Sequence, residues 1–225
     1  MTAAPHVSDD DVRAAAGFGT CALSDALDAM GLPGVLPGVR GLSGVRAVAG
    51  RAVTVRLGPA GGDTPARHLC TSAVDSAGPG QVVVVAHPGP YQGAAPAGWG
   101  GILSLAAHRR GVEGVVVGGP VRDVDEAREL GFGVFGLSPT PVTARGRLVE
   151  TGWGEPIVIG EVTVRPGDVV VADENGVVVM PANRLPDLLA RARAIVAREA
   201  AIAAAVREGV PVAEAMGRDY EEMLS

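Results

Sequence analysis

With 225 residues, 47% hydrophobic but only 3% aromatic, the chain can bury one sizeable core, and that core must be built from Val, Ala and Leu. A net charge of −6 argues against a nucleic-acid-binding surface as the main function, and no apolar run reaches the roughly 20 residues of a membrane span. There is no apolar signal core at the start, and two distant cysteines, Cys21 and Cys70, make neither a zinc site nor a disulfide framework, so a soluble, cytoplasmic, reduced protein is expected.

Residues 1–8 form a polar lead. Residues 9–18 and 20–30 read as two short helices. In the second, Leu23, Ala26, Leu27 and Met30 share a face, Thr20 is the candidate N-cap, and Gly31 with Pro33 ends the helix. A Gly- and Pro-rich loop, 32–50, leads into a strand over 52–57. Asp63-Thr64-Pro65 predicts a helix start with Pro at the first helical position, running to about Ser76. His68 falls inside that helix, where it reads as a surface or satisfied histidine rather than a base. Both cysteines read as small buried side chains.

Residues 81–87 carry four consecutive valines and form a buried strand. The loop 87–98 is either a wall over a site or a connector. His87, at a strand end, is the better placed of the two candidate histidines. Gly98, Gly100 and Gly101 then open a helix whose apolar set is Ile102, Leu103, Leu105, Ala106 and Ala107. A helix start lined by glycines leaves backbone N–H groups free to meet an anion. Val115, Val116 and Val117 form a strand too short to be a helix. After Gly118, Gly119 and Pro120 come Arg122 and Asp123, a cation and an anion side by side, where a carboxylate and a metal could meet. Asp123 followed by Glu126 is equally a capping-box spacing, and the two roles are compatible because a carboxylate has two oxygens.

Past Gly131 a strand covers 132–137. Arg145 and Arg147 belong to an exposed loop, within possible reach of a neighbour's substrate carboxylate. Short strands follow over 156–159, 162–164, 169–172 and 177–180, with Asp168 and Asp173 as turn residues and Asn175-Gly176 as a hairpin signal. From 183 to 208 the composition predicts a long helix interrupted or begun near Pro186, with a shorter one over 211–224. Helices mixed with short strands define an α/β domain with a layered sheet.

The phrase Gly101-x20-Arg122-Asp123-x2-Glu126 resembles the signature of the family holding the regulator of ribonuclease activity A (RraA) and the 4-hydroxy-4-methyl-2-oxoglutarate / 4-carboxy-4-hydroxy-2-oxoadipate aldolases. The likeness extends to SDALDAMGLPG, AGRAVTVR, VVVV, WGG, VRDVDE, LGFGVF and VRPGDVVVADENGVVVMP. It implies a swivelling β/β/α fold similar to phosphohistidine-type domains. The whole of 1–225 would be one unit: N-terminal helices and loop to 50, core over 51–182, C-terminal helices over 183–225.

By that resemblance the protein is a divalent-metal-dependent lyase, cleaving 4-hydroxy-2-keto acids or diacids to pyruvate, with oxaloacetate decarboxylation as a related activity. Asp123 would be the ligand of Mg or Mn. Arg122 would clamp the keto acid's carboxylate, and Gly100, Gly101, Ile102 and Leu103 would supply an amide cradle. The chain departs from catalytic relatives at Gly101 and Gly118, where acidic residues are common. The family also implies a homotrimer or hexamer, with a C-terminal glutamate entering the neighbouring copy's site; Glu199 is the match, Glu208 the alternative. Its other branch implies a non-catalytic regulator that binds a ribonuclease or other protein.

Overall fold

Side chains alternate across a strand, so a run of valines serves two cores at once. The computed structural model of the chain, which describes residues 7–61, 68–89 and 94–217, shows this directly. Its elements in order are α1 (Asp9–Ala29), β1 (Arg40–Gly41), β2 (Val48–Pro59), α2 (Thr71–Ser76), β3 (Gln81–Ala86), α3 (Gly101–Arg109), β4 (Gly114–Val117), α4 (Val124–Glu129) and β5 (Gly133–Gly136). Then follow β6 (Leu148–Trp153), β7 (Ile157–Ile159), β8 (Val162–Val164), β9 (Val169–Ala172), β10 (Val177–Met180), a 3-10 turn (Ala182–Arg184), α5 (Leu185–Arg207) and α6 (Val212–Met216).

The main sheet runs β1-β5-β4-β3-β2-β9-β10, with β6 also paired to β2. The centre, β2 to β5, is parallel, and the flanking pairs are antiparallel. Val83, Val85, Val115 and Val117 face one way, into a core shared with Ala73 and Val74 of α2, Ala107 of α3 and Ala127 of α4. Their neighbours Val82, Val84 and Val116 face the other way, against Ile157, Ile159, Val162 and Val164 of the separate β7–β8 hairpin. Helices, sheet and hairpin thus form the expected β/β/α layers. A third core joins Leu23 and Leu27 of α1 to Leu188, Leu189 and Ile195 of α5, over Val169, Val171, Val178 and Met180.

Several expectations are corrected. The proposed helix start at Asp63-Thr64-Pro65 lies outside the described residues, but His68 is not helical, and helix α2 begins only at Thr71, after Cys70 in the left-handed region (φ 63°). β6 was not anticipated: polar Glu150 and Thr151 interrupt its apolar pattern, and it is built by pairing with β2. Cys21 is exposed, whereas Cys70 is buried as expected. The two expected N-terminal helices are both present within α1, meeting at Gly19, whose backbone is not helical (φ 75°). There the Thr20 hydroxyl does not cap; the Thr20 amide and hydroxyl both donate to the Asp173 carboxylate, at 2.9 and 2.6 Å.

Candidate active site

Two adjacent parallel strands, β3 and β4, each lead from their C-terminal ends into a helix, so the starts of α3 and α4 lie together at one edge of the sheet. Ligands of open α/β sheets characteristically bind there. Backbone hydrogen bonds join the two approach segments: the Gly98 amide donates to Pro120 O at 2.9 Å, and the Arg122 amide to Trp99 O at 3.0 Å. Trp99 is 2% exposed; its indole N–H donates to the Ser104 hydroxyl at 2.9 Å, which in turn donates to Gly100 O at 3.3 Å. The glycine start is therefore anchored from below by a buried tryptophan.

Asp123 is in the left-handed region (φ 56°, ψ 39°), which Asp tolerates better than most residues. Although it occupies the N-cap position of α4, its side chain makes no cap hydrogen bond there. The capping-box reading of Asp123 with Glu126 is thus corrected. The carboxylate turns instead to the other helix, where Oδ2 accepts from the Gly101 amide at 3.0 Å and from Arg122 Nε at 2.9 Å. A Cβ on Gly100 would lie 2.9 Å from that oxygen, so the close approach needs glycine. Burial by itself would push the Asp123 carboxyl up, but the Gly101 amide and the Arg122 guanidinium outweigh it and hold the group below the ordinary carboxylate value. At neutral pH the Asp123 carboxylate is ionised and paired with the Arg122 guanidinium.

The four-residue amide cradle is correspondingly narrower than expected. Gly101 N–H is already used by Asp123, and Ser104 N–H begins the helical ladder to Gly100 O at 3.1 Å. The amides of Ile102 and Leu103 remain for an anion. Arg122, with 40% of its side chain exposed, spends Nε on Asp123 and lines the cleft. That cleft, about 450 Å³, is lined by residues 97–103, Arg122 and Asp123, together with His68, Leu69, Thr71, Thr143 and Ala144. The structure therefore gathers Gly100, Gly101, Ile102, Leu103, Arg122 and Asp123 into one cavity.

Glu126 is the residue that sequence reasoning set aside as a helix cap. A Cβ built on Gly101 would fall 1.7 Å from Glu126 Oε2, so the Glu126 carboxylate occupies the space that a side chain at 101 would fill. The x2 spacing after Asp123 was its signal, shared with the capping box. Gly118 has no such counterpart; a Cβ there would meet Ile159 at 2.8 Å, in the β7–β8 layer.

The two histidines exchange places. His68 lines the cleft, whereas His87 lies by a separate hollow with Arg56 and Pro156, its ring nitrogens 2.8 Å from Pro88 O and Pro96 O. Cys70 borders the cleft residues but is no nucleophile: burial, with Glu150 nearby, pushes its thiol far above the ordinary range. Glu150 instead accepts from the Cys70 amide at 2.7 Å, fixing the start of α2. Glu199 is exposed on α5, beside a groove formed with α6, and not in this chain's cleft. No group of three or more His, Cys, Asp or Glu among the described residues could hold a metal.

A parallel-centred α/β sheet thus brings an ionised carboxylate, a guanidinium and open amides together at one helix start. The chain belongs to the RraA-like family: the family model, described as Aldolase/RraA, matches residues 20–179. Protein DlpA of Legionella pneumophila is 32% identical over 198 residues, covering 88% of this chain. The chain spans only 32% of DlpA's length. A protein of Albidiferax ferrireducens named "Putative 4-hydroxy-4-methyl-2-oxoglutarate aldolase" is 38% identical over 75% of this chain and 97% of its own. Among solved structures, Streptomyces coelicolor RraAS2, described as an unusual member of the RNase ES inhibitor RraA protein family, superposes with a TM-score of 0.76 at 27% identity, covering 87% of this chain and 96% of that one. Among the described residues no helix is long and apolar enough to cross a membrane.

Proposed function

We propose that the cleft binds a 2-keto acid and cleaves the carbon–carbon bond beyond its ketone, as a pyruvate-releasing lyase assisted by Mg or Mn. The observation that carries this reading is the arrangement of Asp123: one oxygen is tied to Gly101 and Arg122, and the other, Oδ1, has no hydrogen-bond partner among the described residues. The names of the aldolase relatives support the same class.

The donor set fits a hard divalent cation. Asp123 is ionised and offers an oxygen, and the Glu126 carboxylate lies close by next to Gly101, so the donors are hard oxygens, although the described residues hold no group of three or more His, Cys, Asp or Glu. Mg and Mn sites commonly rest on one or two carboxylates, with water and substrate oxygens making up the rest. When bound, such a cation would stabilise negative charge on the enolate oxygen.

The chain's own residues do the remainder. Arg122 holds the substrate carboxylate through its terminal nitrogens, and the Ile102 and Leu103 amides add donors at the positive end of α3. Glu126 orients water where an acid at position 101 would otherwise do so. In the cleavage, the proton of the 4-hydroxyl passes to that water, the oxygen becomes a carbonyl, and the C3–C4 bond breaks. Its electron pair enters the C2–C3 enolate, which is then protonated at C3 to give pyruvate.

The test is pyruvate release from 4-hydroxy-4-methyl-2-oxoglutarate and from oxaloacetate, with Mg or Mn. Turnover that is lost with chelator and in Asp123→Ala supports the reading; equal rates in wild type and variant reject it. The likeness to RraAS2 favours a second reading, a regulator that binds a protein partner. A direct ribonuclease-inhibition assay, positive in a protein without turnover, would favour it over the lyase.

A further inference from the structure

The peptide group between Gly100 and Gly101 is one planar unit, so its carbonyl and its N–H point in opposite directions and turn together. The Gly101 N–H donates to Asp123 Oδ2 at 3.0 Å. On the other side the Gly100 carbonyl accepts from Ser104, from its amide at 3.1 Å and from its hydroxyl at 3.3 Å. Both glycines are required by close packing: a Cβ on Gly100 would lie 2.9 Å from Asp123 Oδ2, and one on Gly101 would collide with the Glu126 carboxylate. The same two glycines leave this peptide with little intrinsic restraint. Its orientation, and with it the bond to Asp123, has to be held by its neighbours.

Trp99 and Ser104 supply that hold. An indole N–H can only donate, so in the 2.9 Å bond between them Ser104 Oγ is the acceptor, and the single Ser104 hydroxyl proton goes to Gly100 O. Both residues are buried, Trp99 2% and Ser104 1% exposed. A continuous relay results: Trp99 Nε1–H to the Ser104 hydroxyl, to the Gly100 carbonyl, and through the peptide to Gly101 N–H and Asp123 Oδ2. Each donor polarises the next, so the last bond is strengthened as well as aimed. The Trp99 backbone carbonyl also accepts the Arg122 amide at 3.0 Å, so one residue steadies both members of the Arg122-Asp123 pair.

Resting on the lyase reading, we infer that Trp99 and Ser104 are positioning residues for the divalent cation: acting through the Gly100–Gly101 peptide, they fix Asp123 Oδ2 so that Oδ1 is presented to the metal in one direction. A serine hydroxyl bonded four residues back is by itself an ordinary helix feature. The relay predicts what that feature alone does not, a loss of metal affinity in a protein that remains folded.

The experiment measures the Kd of Mn for the full chain, by electron paramagnetic resonance of the free ion, in wild type, Asp123→Ala, Ser104→Ala, Trp99→Phe and the double variant of the last two. Losing an outer partner of a metal site costs about 10–100-fold in affinity, and this one acts a bond further out, so each single variant is expected to raise Kd by roughly tenfold. Because the two side chains act in series, the double variant is expected to match the singles. Ser104→Ala replaces a hydroxyl with a strong helix former, so it carries the test alone should Trp99→Phe unfold. A wild-type Kd in Ser104→Ala, with binding lost in Asp123→Ala, overturns the inference and leaves the lyase reading standing. A loss of about a hundredfold in the double variant shows two independent supports and also overturns the relay. Equal Kd in wild type and Asp123→Ala overturns the inference and the metal-assisted lyase together.

Discussion

The residue that most constrains the site has no side chain. Glu126 Oε2 lies 1.7 Å from where a Gly101 Cβ would be, so a side chain at 101 and this placement of Glu126 exclude each other. Because the clash is with the tip of a flexible side chain and not with backbone, Gly101→Ala is expected to fold normally while displacing the Glu126 carboxylate. Removing an outer partner of a metal site typically costs 10–100-fold, so kcat/KM for pyruvate release should fall by about that factor in Gly101→Ala and in Glu126→Gln. Thermal unfolding should be nearly unchanged in both. A large loss of stability in either would place Glu126 in the structural frame instead. That the Arg122-Asp123 pair and the glycine helix start lie together was legible in the order of strand, glycine turn and helix, whereas the roles of the pair were read from the family resemblance and not from spacing. Glu126 was not legible, since three residues after an aspartate is also where a cap belongs. The ranking of the histidines was reversed for a different reason: sequence distance from a strand end does not say on which side of the sheet edge a ring will lie.

At the scale of elements, the junction between α1 and the β9–β10 turn depends on one carboxylate. Asp173 accepts the Thr20 amide and hydroxyl across 153 residues of sequence, and the Asn175 amide at 2.8 Å. Asp173 thereby caps the second half of α1 after its break at Gly19. Burial pushes the Asp173 carboxyl up, but the bonds from Thr20 and Asn175 outweigh it and hold the group below its ordinary value. The native state therefore favours the ionised form. Its contribution to stability is complete above the unfolded value of about 3.9 and is lost as pH falls through the lower folded value. Asp173→Ala should lower the unfolding free energy at pH 7 by about 1–2 kcal/mol, the scale of a lost cap. Urea denaturation of variant and wild type should give midpoints that converge as pH drops below about 4. A gap that persists unchanged in acid would show that packing, not the ionised cap, accounts for the difference. Strands rich in valine announced themselves, as did the break at Gly19. β6 did not, because Glu150 and Thr151 hide its pattern and its reason for being a strand is the partner edge of β2. The need for Glu150 at the start of α2 was equally invisible, since it satisfies a Cys70 amide 80 positions away.

For the molecule as a whole, the apolar side chains exposed among the described residues include two sets that bear on assembly. On α5 the buried side chains stop at Ile195, and beyond it Val196 is 36% and Val206 39% exposed, with Val212 of α6 at 57%. At the lip of the cleft, Ile102 is 85% exposed. Isolated exposed side chains need no explanation, but an apolar stripe along a terminal helix commonly marks association. The homotrimer or hexamer that the family resemblance implies is the expected cover for these surfaces, with Glu199, on the same helical segment, as the residue expected to enter a neighbouring copy's cleft. Sedimentation should then report a trimer or hexamer, and Val206→Glu with Val212→Glu should dissociate it and lose pyruvate release in parallel. Glu199→Gln separates the two effects: the assembly should persist while turnover falls. If Glu199→Gln retains full turnover in an intact assembly, the cleft is complete within one copy. If the double variant is a fully active monomer, association has no part in the chemistry, and the exposed stripe on α5 serves some purpose other than building the site.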